Sequence, residues 1–245
     1  MQRYFVDPSQ MDERFVTITG DDVNHIARVM RSRPGDEVIC CNGLGRDVRG
    51  AIAAIEADHV RVRIVAEDLM NRELPVQVTI AQGLPKGDKM ELVIQKGTEL
   101  GAFSFCAFTS MRTVVKLDEK KEKKRMERWQ KIAKEAAEQS HRSRVPDVMN
   151  VLSWRELLAS APRFHYALFA YEQEEEATLR RALSDVPAGS NILLVIGPEG
   201  GFDEKEVAEA AAAGFVSVSL GRRILRAETA PLYALSCMSY AFEQA

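Results

Sequence analysis

The feature that most constrains this chain is a change of hydrophobic rhythm at Asn71–Pro75. Before it, β-branched or alternating runs at Phe15–Ile18, Glu37–Cys41, Val48–Ile55 and His59–Val65 are punctuated by Pro34-Gly35, Gly43 to Gly45 and Ala57-Asp58. Short strands at this spacing predict a small β-barrel. Val23, Ile26, Ala27 and Met30 recur at helical spacing, which predicts a helical turn or two over Asp21–Arg31, capped by Asp21 or Asp22. After the change, strand and helix alternate. Strands are predicted at Val76–Ala81, Ala102–Phe108, Phe164–Ala170, Asn191–Ile196 and Phe215–Leu220. Helices are predicted at Asp88–Leu100, Lys120–Gln139, Glu204–Ala213 and Leu232–Phe242, with Gly101 and Gly214 as stops. Such alternation predicts an α/β domain with a mostly parallel sheet covered by helices. Domain boundaries of 1–70 and 71–245 follow. Trp129 and Trp154 are assigned to the core.

Composition narrows the classes. Of 245 residues, 46% are hydrophobic and 28% charged, the balance of a soluble globular protein. No apolar stretch nears the roughly 18 residues of a membrane helix. The first ten residues lack the cationic and apolar regions of a signal peptide. Cys40, Cys41, Cys106 and Cys237 form no Cys-x-x-Cys, so reduced thiols, a cytoplasmic location and no metal site are expected. The net charge of −3 argues mildly against a nucleic-acid partner, but it hides a local excess. Between Arg112 and Arg144 there are 12 Lys or Arg against 6 Asp or Glu. The first 70 residues hold nine arginines and no lysine, with Arg28, Arg31 and Arg33 beside His25. Basic segments in an acidic chain suit a phosphate backbone, and arginine forks suit phosphates and base edges. His25, Arg28, Arg31, Lys123, Lys124 and Arg128 are the candidate RNA contacts.

In open α/β sheets, ligands bind beyond the carboxyl ends of strands. Three predicted ends are distinctive. Asn191–Ile196 runs into Gly197-Pro198-Glu199-Gly200-Gly201, where three glycines let the backbone approach a ligand without Cβ obstruction. Asp203 with Glu206 then forms a predicted capping box. The loop is neither a P-loop nor a Gly-x-Gly-x-x-Gly dinucleotide motif, which argues against a nucleotide-dependent enzyme. Glu199 would repel a phosphate and attract a cation or a ribose hydroxyl, which favours a sulfonium ligand such as S-adenosylmethionine over ATP. Phe215–Leu220 leads to Gly221-Arg222-Arg223-Ile224-Leu225-Arg226-Ala227-Glu228-Thr229, with Thr229 a predicted cap of the last helix. Phe164–Ala170 leads to Tyr171-Glu172.

Ile196-Gly197-Pro198-Glu199-Gly200-Gly201-Phe202, followed by Leu220-Gly221-x-x-Ile224-Leu225-Arg226-x-Glu228-Thr229-Ala230, closely resembles the bacterial 16S ribosomal RNA uracil-N3 methyltransferases, the RsmE family. Lys86-Gly87-Asp88-Lys89-Met90, Lys96-Gly97-x-Glu99-Leu100-Gly101, Glu135 to Arg142 with Val145-Pro146, Arg3-Tyr4-Phe5 and His25 to Arg31 are similar too, so the resemblance spans nearly the whole chain. It implies a SPOUT-type domain with a C-terminal trefoil knot, a PUA-like N-terminal barrel that grips RNA, S-adenosylmethionine as methyl donor and a homodimer. The substrate it implies is a uridine near the 3' end of 16S RNA in the small ribosomal subunit. Cofactor contacts carried over by motif are Gly197, Pro198, Glu199, Gly200, Gly201, Leu220, Gly221, Ile224 and Leu225, with Tyr171 and Glu172 from the third strand end.

N3 of uracil is a poor nucleophile until its proton leaves, and it must be unpaired to react. Arg226 and Arg142 are candidates to stabilise charge developing on the uracil oxygens. Glu199 or Glu172 is a candidate proton acceptor. Two alternatives stand beside this reading. One is a related methyltransferase acting on a ribose 2'-oxygen or another base, and the other is a non-catalytic RNA-binding ribosome-assembly factor. Donor binding and the identity of the methylated atom separate them.

Overall fold

The computed structural model describes residues 1–115 and 119–243. The chain forms two compact units. One is Met1–Glu73 with Ala137–Val145, and the other is Leu74–Ala136 with the residues from Pro146 on.

In the first unit, β1 (Gln2–Phe5), β2 (Phe15–Thr19), β3 (Glu37–Cys41), β4 (Asp47–Ile55) and β5 (His59–Glu67) form a curled sheet in the order β1-β3-β4-β5-β2. β1 pairs parallel to β3, and the other pairings are antiparallel. β4 bends at register shifts beside Gly50 and Ile52, and a Cβ on Gly50 would sit 2.4 Å from Val62 Cγ1. The bends increase local twist and wrap the sheet around Tyr4, Val16, Ile18, Val38, Val48, Val60 and Val62. The expected Asp21–Arg31 helix is α1 (Asp21–Asn24), continued by one π-helical turn over His25–Val29. Gly20, at φ 73°, holds the cap position in place of the aspartates.

β1 was not predicted as a strand because its second residue is Arg3, whose side chain is fully buried. It is enclosed because both terminal nitrogens of its guanidinium are bonded, although Nε has no partner among the described residues. Its guanidinium donates to Asp47 Oδ2 at 2.6 Å, Cys41 Sγ at 2.8 Å, Asp68 Oδ2 at 3.1 Å and the Arg142 carbonyl at 3.0 Å. Arg142 forms an ion pair with Glu73, and Ser143 donates its hydroxyl to Asp47 Oδ2 at 2.6 Å. These bonds are why Ala137–Val145 belongs to the first unit, an excursion a linear boundary near residue 70 does not contain. Asp68 illustrates the balance there. Burial alone would raise its carboxyl, but the Arg72 hydrogen bond and nearby guanidiniums hold it below the usual range.

The second unit carries β6 (Gln77–Gly83), α2 (Lys89–Glu99), β7 (Ser104–Thr109), α3 (Glu119–Gln139), β8 (Asp147–Ser153), α4 (Trp154–Ser160), β9 (Tyr166–Ala170), α5 (Leu179–Leu183), β10 (Asn191–Ile196), α6 (Glu204–Ala212), β11 (Val216–Val218) and α7 (Thr229–Glu243). Only the last turn of α3, from Ala137, falls in the first unit. All six strands are parallel, in the order β11-β9-β10-β6-β7-β8. β8 escaped prediction because it is an edge strand with most residues partly or fully exposed, so it lacks an apolar rhythm. α4 opens on a capping box of Ser153 and Glu156. On one face of the sheet, Gly97 lets α2 pass so close that a Cβ would meet the Phe105 ring at 2.7 Å. On the other, Phe108, Phe169, Phe202 and Phe215 pack together, with Phe169 and Phe202 centroids 4.2 Å apart. Trp129 is buried, whereas Trp154 is half-buried against this cluster and donates its indole N–H to Glu209 at 2.8 Å. Burial pushes the Cys40 and Cys106 thiols up to about 12, so both pack as neutral groups.

Replacing Arg3 by Met leaves buried Asp47 without its charge partner. Uncompensated charges of this kind cost about 3–5 kcal/mol. Urea denaturation of Arg3→Met is expected to show a loss of that order, and a loss below about 1 kcal/mol would mean the ion pair is not what encloses β1.

Candidate active site

Because β9, β10 and β11 are parallel neighbours, the loops that follow them emerge at one end of the sheet. There they enclose a cavity of about 1080 Å³. Tyr171 and Glu172 line it from the loop after β9. Gly197, Pro198, Glu199 and Gly201 line it from the loop after β10, and Leu220, Gly221, Ile224, Leu225 and Arg226 from the loop after β11. The structure thus brings together all but one of the residues assigned to the donor from sequence, Glu199 among them, and adds the catalytic candidate Arg226. Gly200 is the exception. It does not line the cavity, and its carbonyl accepts from Arg112 Nη1 at 3.0 Å.

The glycine loop is shaped by contacts that tolerate no side chain. After β10, Gly197 crosses the Phe202 ring, where a Cβ would lie 2.9 Å from the ring edge. Phe202 is buried in the aromatic cluster and anchors the far side of the loop. Gly201 takes φ +65°, and a Cβ there would lie 2.7 Å from Glu172 Oε1. On the next strand, a Cβ at Gly83 would meet Pro198 N at 2.4 Å. Gln82, fully buried, donates Nε2 to the Gly197 carbonyl at 3.2 Å, while its Oε1 accepts no hydrogen bond among the described residues. The loop ends on the predicted capping box. Asp203 Oδ1 accepts from the Lys205 N–H, and buried Glu206 accepts from the N–H groups of Asp203 at 3.0 Å and Met111 at 2.7 Å.

The other two loops are pinned to each other. Ser219 donates its N–H to the Ala177 carbonyl at 2.7 Å and accepts from the Leu179 N–H at 3.1 Å, so 171–179 closes along the exit of β11. Glu174 holds the turn within that loop. Hydrogen bonds from the Ala177 N–H and the Ser217 hydroxyl keep its carboxyl below the usual range. Thr229 is the first residue of α7 rather than its cap, and the Arg226 carbonyl accepts from the Thr229 and Ala230 N–H groups.

One lysine crosses the cavity. Lys89, in the first turn of α2, donates to Glu199 Oε1 at 2.9 Å and stands 3.4 Å from Glu228 Oε2. Burial would raise the Glu199 carboxyl. The hydrogen bonds from Lys89 and from the Lys86 N–H outweigh it and hold the group below its usual value. The Glu199 bond raises Lys89 in return. Burial and the neighbouring Glu172 charge raise the Tyr171 hydroxyl. Gln82, Gly83 and Arg112 were not singled out from sequence, and Lys89 and Glu228 stood there within motifs without an assigned role. A polar Gln82 ending an apolar run was the one available signal, since the others depend on which strands adjoin.

The remaining expected site residues lie elsewhere. Arg142 does not line the cavity. It is buried in the first unit and engaged by Glu73, which fits a structural ion pair. Arg28 and Arg31 are exposed around the π-helical turn, while His25 is half-buried, with Nδ1 3.2 Å from the Tyr4 hydroxyl. Lys123, Lys124 and Arg128 are exposed on α3, and Arg128 pairs with Glu91 of α2 at 2.6 Å.

The contact between Gly83 and Pro198 gives a direct check. Gly83→Ala forces the loop off β6, and overpacking of this kind costs about 1–3 kcal/mol. Urea denaturation should register that loss, and a variant as stable as its parent would mean the loop yields freely.

Residues 72–239 match the model of the RNA methyltransferase domain family, and residues 18–65 match that of the RNA methyltransferase PUA domain. The chain is 49% identical over 250 residues to ribosomal RNA small subunit methyltransferase E of Bacillus subtilis, spanning 99% of this chain and 98% of that one. It superposes with a TM-score of 0.87 and 33% identity on the crystal structure of ribosomal RNA small subunit methyltransferase E from Neisseria gonorrhoeae bound to S-adenosyl methionine, covering 99% of this chain and 98% of that one. A Legionella pneumophila methyltransferase structure in complex with the same cofactor follows at a TM-score of 0.86 and 30% identity, covering 98% and 97%. With a domain match across most of its length and a full-length relative sharing half its residues, the chain belongs to the ribosomal RNA small subunit methyltransferase E family.

Proposed function

We propose that this protein transfers a methyl group from S-adenosylmethionine to N3 of one uridine near the 3' end of 16S RNA, acting in the bacterial cytoplasm on the small ribosomal subunit. The observation that carries this reading is the convergence of three loops on one glycine-lined cavity, in a chain 49% identical to a small-subunit methyltransferase along its full length. The cavity chemistry fits the donor. Backbone at Gly197 and Gly201 gives a ligand close approach, Gln82 Oε1 is a buried acceptor without a donor, and the carboxylates suit a ligand carrying positive charge. When bound, S-adenosylmethionine supplies an activated methyl group on its sulfonium.

Within this proposal Tyr171, Glu172, the 197–201 loop and Leu220 to Leu225 hold the donor, with Gly200 shaping the loop through Arg112. Exposed Arg226 faces the base and stabilises charge that develops on its oxygens. Fixing the base and donor together is itself worth several kcal/mol, on the order of 7–11 at best. Glu199, already tied to Lys89, acts by positioning the loop. The reading includes a trefoil knot, which the family resemblance implies. It also includes a homodimer, for which Ile224 and Tyr240, 80% and 71% exposed, supply apolar surface. His25, Arg28 and Arg31 in the PUA-like unit, and Lys123, Lys124 and Arg128 on α3, contact RNA.

The test is methyl transfer from labelled S-adenosylmethionine to small subunits lacking the modification, followed by mass spectrometry of the digested RNA. A single 3-methyluridine near the 3' end of the 16S RNA is the expected product. A 2'-O-methylated nucleoside, or donor binding without transfer, would contradict the reading. For the α3 face, charge reversal at Lys123, Lys124 and Arg128 removes up to three phosphate contacts and should reduce the slope of log affinity against log salt by about 2. An unchanged slope would remove α3 from the RNA interface.

A further inference from the structure

Several carboxylates line the cavity, and they differ in what already binds them. Glu199 Oε1 takes two donors, the Lys86 N–H at 3.1 Å and Lys89 Nζ at 2.9 Å. A carboxylate that accepts two such donors, one of them charged, is a weakened base. Glu174 is consumed by the Glu176 and Ala177 N–H groups and the Ser217 hydroxyl. Glu172 and Glu175 are exposed, and Glu172 lies against Gly201. Glu228 is different. Its side chain is only 16% exposed, and its Oε2 is closed off from solvent without accepting a hydrogen bond among the described residues. Lys89 Nζ stands 3.4 Å from this oxygen, a long contact beside its 2.9 Å bond to Glu199, so it supplies charge and at most a weak hydrogen bond. An enclosed acceptor lacking a donor is unfavourable until a ligand brings one.

We propose that Glu228 is the catalytic residue that accepts the N3 proton of the target uracil, an inference that rests on the function proposed above. The N3–H is a donor of the kind this oxygen lacks. In the step, the N3–H bond breaks and the proton joins the Glu228 carboxylate. The N3 electron pair forms the bond to the methyl carbon as the carbon–sulfur bond breaks, leaving that pair on sulfur. The carboxylic acid then returns its proton to water, and the products are 3-methyluridine and S-adenosylhomocysteine. Lys89 is a positioning residue. Held by Glu199 on one side, it places a positive charge 3.4 Å from Glu228 Oε2. Three other cations share the cavity, Arg222, Arg223 and Arg226, all on the exposed loop that leads to Glu228. None of them donates a hydrogen bond to Glu228 Oε2 among the described residues.

Single-turnover methyl transfer by Glu228→Gln, followed across pH 6–10 beside wild type, tests this. Loss of a general base typically lowers the rate 10²- to 10⁴-fold, a range expected here near neutral pH. The residual rate should rise with pH until the uracil N3–H itself ionises, because hydroxide replaces the lost base, and the wild-type rate should rise less steeply over the same range. Calorimetry should give S-adenosylmethionine a Kd within threefold of wild type, which also shows that the site is folded. Glu228→Asp should recover part of the rate with the wild-type pH profile. A Glu228→Gln rate within threefold of wild type overturns the inference. So does a loss confined to donor affinity, which would make Glu228 a partner of the donor's positive charge. If the wild-type chain itself forms no 3-methyluridine, the proposed function fails and this inference falls with it, an outcome distinct from an active wild type with an unimpaired Glu228→Gln.

Discussion

The parallel pairing of β11, β9 and β10 is the constraint on which the rest of the site depends. Because the three strands run the same way, the loops after each must meet at one end of the sheet. Their register leaves Val218 beside Ala170, and the same ladder direction carries Ser219 to Ala177 and Leu179. The strand exit is therefore bonded on both sides, and the 219–228 segment is led past the 171–179 loop with little freedom. The third loop, 197–201, is pressed down by Gly83 and Gln82 of β6 and anchored at Phe202. Three loops of irregular backbone would ordinarily be the least ordered part of a domain. Here each is tied by backbone hydrogen bonds or by a buried ring, so the cavity is built before a ligand arrives.

Charge is used differently in the two units. In the first, Arg3, Asp47, Arg142 and Glu73 neutralise one another in an enclosed cluster, and their work is to fix β1 and residues 137–145 in one unit. In the second, Lys89 ties two carboxylates but saturates only one. Asp47 Oδ1 and Glu228 Oε2 are both enclosed without a donor among the described residues, so the contrast is one of place. Asp47 lies in the buried cluster of the first unit, whereas Glu228 lines a cavity where a ligand can supply a donor.

The central strands were legible because parallel strands buried on both faces read as unbroken apolar runs, as Leu193 to Ile196 does. The glycine loop was legible because close backbone approach selects glycine, a local property. Elements whose logic is distant were not legible. β1 needs Asp47, 44 residues from Arg3, and the 137–145 excursion needs Glu73, 69 residues from Arg142. Arg142 had the residue type of an oxyanion partner, and only the fold reveals its carboxylate. Lys89 lies more than a hundred residues before Glu199, and no local pattern links them. His25 sat within a basic cluster, but its ring is partly spent on Tyr4.

The central claim is that the ends of β9, β10 and β11 form the methyl-donor site. A crystal structure of the full chain with S-adenosylmethionine tests it most directly. The account predicts the donor seated against Gly197 to Gly201 and Leu220 to Leu225, with Gln82 Oε1 acquiring a hydrogen-bond partner from ligand or ordered water. A donor bound outside these loops, or bound with 197–201 and 219–228 displaced from the positions described, would contradict it.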